Sequence, residues 1–236
     1  GCSLYTTTTQ VTITQAVNPA TTISYPSSGS FCSNASLQNV TISGTSGGTF
    51  SSTTGLIINA STGQIDPSAS TPGNYTVTYE ILPAGNCAGF ITTTSVSIIQ
   101  APSASAGSNM QICSDASNVT IGASASALNY SSVLWTSNGS AGTITNASSL
   151  NGATYTPSVA DIASGGIILT LIINGNSPCA SVQSTKTVSI TGAATAVAGI
   201  DIHACAGLSN VNITAGSSAS NYSSVMWSGG AGTWSN

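Results

Sequence analysis

Apolar and polar residues alternate along most of this chain. Val11 to Gln15 (VTITQ), Val40 to Gly44 (VTISG), Tyr75 to Ile81 (YTVTYEI) and Thr187 to Ile190 (TVSI) place apolar side chains at every second position. A period of two marks a strand with one buried face and one wet face. No segment sustains the 3.6-residue period of an amphipathic helix, and the helix formers Leu, Glu, Lys and Arg are scarce. The longest apolar cluster, Gly165 to Ile173 (GGIILTLII), is interrupted by Thr170. It falls well short of the roughly 18 apolar residues of a membrane span and reads as a core strand. The pattern predicts an all-β chain.

The alternating runs repeat. Cys2, Tyr5, Thr7, Val11, Ile13, Gln15 and Ala16 match Cys87, Phe90, Thr92, Val96, Ile98, Gln100 and Ala101 at a constant interval of 85 residues (87 − 2). A second series begins after Ala101. Gly107, Cys113, Val119, Asn129 and Trp135 match Gly199, Cys205, Val211, Asn221 and Trp227 at an interval of 92 (205 − 113). Two residues are then lost, so that Ala141-Gly142-Thr143 matches Ala231-Gly232-Thr233. The expected map is the C-terminal strand of a preceding repeat (1–16), a first-type module (17–101), a second-type module (102–193) and the N-terminal half of another second-type module (194–236). On this map the chain begins mid-repeat, so no export signal is read from its first residues. Modules of this size, with short strands separated by Gly, Ser and Asn, suit seven-stranded β-sandwiches. Their junctions, Ala101-Pro102 and Gly192-Ala193-Ala194, are short.

Charge narrows the partners. Among 236 residues there are one Lys, no Arg and five acids, so charged residues make up 3%. Ordinary globular proteins carry about 25%. Without a basic patch the chain has no means of holding phosphate, which excludes DNA, RNA and anionic membrane surfaces. Disorder is not expected either, because the chain is 40% hydrophobic with a mean hydropathy of +0.28. Solubility falls to hydroxyls and amides.

Each complete module holds two cysteines, one early and one near its last hairpin. The economical reading pairs Cys32 with Cys87 and Cys113 with Cys179, leaving Cys2 and Cys205 to residues outside the sequence. Such pairing implies an oxidising, extracellular setting. The competing zinc reading needs CxxC or His clusters, and the chain has neither. Trp135 and Trp227 sit in the alternating run SSV(L/M)W and are expected in the core, facing a disulfide as in immunoglobulin-like domains. Tyr75 and Tyr155 each follow a turn and are expected to hydrogen-bond back to a corner. Trp234 and Tyr222 are the candidate exposed aromatics for stacking on a sugar ring.

Sharper chemistry finds little support. Gly44-Thr45-Ser46-Gly47-Gly48 fits G-x-S-x-G, but a nucleophile elbow needs a strand-to-helix turn and a His base, and the one His is His203. The five acids are scattered singly; Asp66 and Asp161 are expected to cap turns, and Asp115 and Asp201 each offer calcium one ligand where several are needed. Lys186 is the one residue able to crosslink to an Asn. No enzyme activity, cofactor or metal is expected.

Two longer motifs point to a family. CSNASLQNVTISGTSGGTFSSTTGLIINASTGQIDPSASTPGNYTVTYEI (32–81) resembles repeats of the giant secreted surface proteins of Bacteroidota. The segment from Ala106 through YTPSVADIASG (155–165) and into GIILTLII resembles their companion repeat. These include SprB-like gliding-motility adhesins and related type IX secretion substrates. The stretch AGSNMQIC departs from the family's AGxDQxIC at Ser108-Asn109-Met110. The resemblance covers nearly the whole chain. It implies tandem immunoglobulin-like domains, secreted and disulfide-bonded, in the stalk of a cell-surface adhesin or filament. The expected partners are neighbouring repeats of the same chain and polysaccharide or abiotic surfaces, with no membrane insertion in this segment. A carbohydrate-binding module array and a self-assembling extracellular fibre are the alternative readings.

Overall fold

The alternating runs at Val40–Gly44, Tyr75–Ile81 and Thr187–Ile190 fall on strands, with Gly, Ser and Asn clusters in the turns between, while Val11–Gln15 lies outside the described residues. The computed structural model describes residues 1–10, 20–83, 88–137 and 139–229. It divides into two units: Gly1–Pro102 with Asn174–Ser181, and Ser103–Ile173 with Val182–Asn236.

The first unit contains β1 (Thr21–Ser24), β2 (Ser30–Cys32), β3 (Thr41–Gly44), β4 (Thr49–Ser52), β5 (Gly73–Ile81) and β6 (Phe90–Ile99). One sheet has the order β2-β6-β5-β4, and β1 pairs with β3. Isolated bridges join Ile65 to Gln38 and to Ile58. Alternation decides what is buried. Tyr75, Val77 and Tyr79 on β5 and Val96 and Ile98 on β6 turn inward against Ile23, Phe31, Phe50, Leu56 and Ile65. Their hydroxyl-bearing neighbours turn outward.

The second unit contains β7 (Ser103–Ser105), β8 (Met110–Cys113), β9 (Val119–Thr120), β10 (Ser126–Leu128), β11 (Tyr130–Thr136), β12 (Thr143–Thr145), β13 (Thr154–Thr156), β14 (Gly166–Gly175) and β15 (Val182–Thr191). Its sheets run β11-β14-β15-β8 and β12-β13-β9, with β7 paired to β10. A six-residue helix, α1 (Val159–Ser164), precedes β14. Two short strands, β16 (Thr195–Val197) and β17 (Ser218–Ser220), pair beyond it.

The two units share one wiring. In each, a short N-terminal strand pairs in one layer (β1 with β3, β7 with β10), and the next strand crosses to lie parallel to the last (β2 with β6, β8 with β15). The last hairpin is antiparallel and central (β5–β6, β14–β15). The buried Trp135 occupies the outer strand β11 of that sheet. Tyr75, at the start of β5, donates its hydroxyl to the Thr71 carbonyl four residues back, forming a tyrosine corner. Tandem immunoglobulin-like sandwiches have this strand order and these landmarks.

Cysteine pairing within modules is overturned. Cys32 bonds to Cys179, with Cα atoms 4.9 Å apart and 147 residues between them in sequence. This one bond replaces both Cys32–Cys87 and Cys113–Cys179. Strand direction is the reason. Cys113 lies opposite Thr191 at the end of β15, whereas Cys179 stands just before Val182 at its start. Ten strand residues span about 30 Å, and a disulfide needs Cα atoms within about 7 Å. A hairpin tip instead sits at the end where the chain enters its module. The chain arrives there from Ile99, beside which Cys32 is paired, and the Cys179 sulfur lies 3.6 Å from the Ile99 carbonyl oxygen. The tip Asn174–Ser181 accordingly belongs to the first unit. Closing so long a loop stabilises by up to about 5 kcal/mol. Cys2, Cys113 and Cys205 carry free, exposed thiols, and Cys87 lies outside the described residues.

Trp135 therefore faces no disulfide. Above its ring, 5.8 Å from the centroid, stands the Lys186 ammonium. Lys186 shares the inward parity of Val188 and Ile190 on β15 and is 3% exposed. Its Nζ donates to the Ile121 carbonyl at 2.7 Å, and burial pushes its pKa down.

Candidate functional site

Every second residue of the long strands faces outward, and in this chain those residues are mostly Thr and Ser. On β5 and β6 the outward pairs are Thr76 with Ser95 and Thr78 with Thr93. Beside them Ser97 Oγ donates to Asn74 Oδ1 at 2.6 Å. On β15 the outward positions are Gln183, Thr185, Thr187, Ser189 and Thr191, all exposed. Thr and Ser pairs across strands stabilise a sheet modestly, by about 0.2–1 kcal/mol each. The face they make offers donors and acceptors without ionic charge, broken by the exposed side chains of Ile91 and Ile168. It can hydrogen-bond to hydroxylated surfaces and has no activated nucleophile.

The polar stretches between the strands turn inward on the backbone. Asn59 Oδ1 accepts from the N–H groups of Ser61 and Thr62, at 2.9 and 3.0 Å. Asp66 Oδ1 accepts from the Ser68 hydroxyl at 2.6 Å and from the N–H groups of Ser68 and Ala69, which hold its pKa below the usual carboxylate value. Tyr25 donates to the Gly63 carbonyl at 2.6 Å, and burial raises its pKa. These are turn locks, the role expected of Asp66.

Asp161 does the same work from a buried position. Its Oδ2 accepts from the Tyr155 hydroxyl at 2.7 Å, the Ser158 hydroxyl at 2.6 Å and the Ser158 N–H at 2.8 Å. Its Oδ1 accepts from Ser140 at 2.6 Å. Ser158 and Asp161 form a capping box at the start of α1, and Gly165 closes the helix in the left-handed region at φ 76°. Burial pushes the carboxyl up, but the hydrogen bonds from Ser140, Ser158 and Tyr155 outweigh it, leaving the pKa far below the usual value. Burial, with the neighbouring carboxylate, raises the Tyr155 phenol to about 12. Gly142 must be glycine: a Cβ there would lie 2.3 Å from the Tyr155 oxygen.

The candidate aromatics fare differently. Tyr222 is 55% exposed and lines an open hollow of about 650 Å³ with Val225, Met226 and Trp227. The counterparts of Val225 and Trp227, namely Val133 and Trp135, are core residues of the second unit. The hollow is thus lined by residues whose counterparts pack a core. Trp234 lies outside the described residues. The Gly44–Gly48 segment joins β3 to β4 with no helix after it, so it lacks the turn of a nucleophile elbow. Among the described residues no three of His, Cys, Asp and Glu come together.

No protein-family model matches this chain, and no curated protein matches it. Solved structures resemble it in shape. Immunoglobulin domains 1–4 of Sidekick-1 align at 12% identity and a TM-score of 0.42, covering 76% of this chain and 51% of that one. Drosophila N-cadherin EC1-4 aligns at 11% and 0.38, covering 72% and 49%. The I-band fragment I67–I69 of titin aligns at 9% and 0.38, covering 75% and 67%. This chain spans about half the length of the first two. Likenesses of this size carry no argument about function.

Proposed function

We propose that the chain is a non-catalytic, extracellular structural segment: part of the stalk of a long surface adhesin or filament, akin to the SprB-like surface proteins of Bacteroidota. The observation that carries this reading is the succession of two identically wired sandwiches, with Cys32 of the first bonded to Cys179 at the β14–β15 hairpin tip, whose outward faces are hydroxyl-rich and almost uncharged. Repetition of rigid units gives reach, and a disulfide fits an oxidising exterior. On this reading the modules run 17–101 and 102–193, with further repeat sequence on either side. Gliding or surface attachment then needs only that something at the end of the stalk holds on.

The test is binding of the whole chain to immobilised polysaccharides and to glass and polystyrene, alongside a Thr93→Lys, Thr187→Lys double variant of the outward faces. A stalk shows no saturable binding in either form. Saturable binding that is lost in the folded double variant would replace the stalk by an array of weak carbohydrate-binding modules acting through avidity.

A further inference from the structure

Cys32 and Cys113 occupy the same place in two copies of one fold. Cys32 ends β2 opposite Ile99, the last residue of β6, and Cys113 ends β8 opposite Thr191, the last residue of β15. The chain leaves both through the same turn. Ser33 N donates to the Ile99 carbonyl at 2.8 Å and Ala35 N to the Cys32 carbonyl at 2.9 Å. Ser114 N donates to the Thr191 carbonyl at 2.8 Å and Ala116 N to the Cys113 carbonyl at 3.0 Å. The serine after each cysteine then accepts from the residue that leaves the last strand: Ala101 N to Ser33 Oγ and Ala193 N to Ser114 Oγ, both at 2.9 Å. One thing differs. Cys32 is buried and bonded to a hairpin tip, and Cys113 is exposed and free.

We infer that Cys113 is the attachment point for the hairpin-tip cysteine of the module that begins at residue 194, so that disulfides run from each module to the next and not within modules. The bond already formed at the equivalent position shows what such a site holds. The sequence supplies the occupant: residues after 193 repeat those after 101 at an interval of 92, with Cys205 matching Cys113. A module of that type carries its second cysteine between its last two strands, as Cys179 stands between β14 and β15. Chain direction brings the two together. The chain leaving Thr191 enters the next module beside Cys113, as the chain leaving Ile99 enters beside Cys32. Cys205, at the position matching Cys113, then receives the tip after that. In forming the bond, the Cys113 and tip thiols give up two protons and two electrons. The acceptor is an oxidant of the disulfide class, whose own S–S bond is reduced to two thiols through a mixed disulfide. The assignment goes beyond the stalk reading and does not depend on the array bearing load.

Two extended chains test it: residues 1–233 followed by 144–193, and residues 1–193 followed by 102–193. Each supplies a complete module after Cys113, and the second repeats one module whole without a splice inside it, so a misfolded first chain leaves the second to decide. After oxidation with glutathione disulfide, peptides cut with pepsin at acid pH are mapped without reduction. The expected result is a peptide joining Cys113 to the copied tip cysteine, with loss of Cys113 reactivity toward iodoacetamide. That reactivity returns when Cys179→Ser is carried in the copy alone. A folded extended chain with Cys113 still alkylated overturns the assignment. So does a copied tip cysteine bonded to the early cysteine of its own module.

Discussion

Asn129 to Trp135 reads NYSSVLW, and Asn221 to Trp227 reads NYSSVMW, yet the two fold differently. What is local is kept. Both asparagines take positive φ, 56° and 53°, and the strand before each pairs with its partner, β10 with β7 and β17 with β16. What is not local diverges. The first copy becomes strand β11 beside β14, with Trp135 only 2% exposed. The second forms no strand, Val225 is 54% exposed, and Trp227 is half-buried. No counterpart of β14 and β15 accompanies it in this sequence. Turn chemistry is written in the segment itself, whereas a strand is completed by its neighbour and by the core it faces.

The comparison breaks most visibly if the neighbour is supplied. In the extended chain that adds 144–193 after Thr233, Trp227 becomes a core residue, and acrylamide quenching of its fluorescence falls to the level of Trp135. A chain ended at residue 143 does the reverse, exposing Trp135. Next in size, Trp135→Ala costs about 3–5 kcal/mol in urea unfolding of the second unit. Trp227→Ala in the present chain changes stability by less than about 0.5 kcal/mol. Equal costs for the two would mean that the incomplete copy already has a core.

The cysteines sharpen the contrast further. Cys32→Ser destabilises by about 2–5 kcal/mol in the oxidised protein, while Cys113→Ser stays within about 0.5 kcal/mol. The smallest effect is one of pH. Against the upward push of burial, the hydrogen bonds from Ser140, Ser158 and Tyr155 hold the Asp161 carboxyl well below the ordinary carboxylate value in the folded unit. Its contribution is therefore complete above about pH 4 and is lost as the pH falls toward its folded value. Asp161→Asn removes that acid dependence from the thermal melting of the second unit, and an unchanged profile would mean that another carboxylate carries it.

Much of this was legible beforehand, for identifiable reasons. Alternation in YTVTYEI and TVSI specifies strands because side chains point to opposite faces at each step. Repeat intervals located the cysteines in pairs of equivalent positions, but spacing says how many cysteines a module has and not at which end of a strand each stands. Only the parallel register of β8 on β15 separates Cys113 from Cys179. Lys186 was within reach too, since it shares the inward parity of Val188 and Ile190, but a lone lysine invites the assumption that it is wet. Helix α1 is too short for any period to show, and only its capping box, Ser158 with Asp161, marks it.

The Cys32–Cys179 bond also rewrites the path that tension takes. A pull on the two ends of the chain passes down the backbone to Cys32, crosses the sulfurs and continues from Cys179. The 147-residue separation between them is short-circuited. About 500 Å of contour length is thereby held in reserve, and both sandwiches keep most of their strands out of the loaded line. Under reduction the same pull reaches every strand, and the tether pays out that slack. The oxidation state of one sulfur pair thus sets how far the chain can stretch before it breaks.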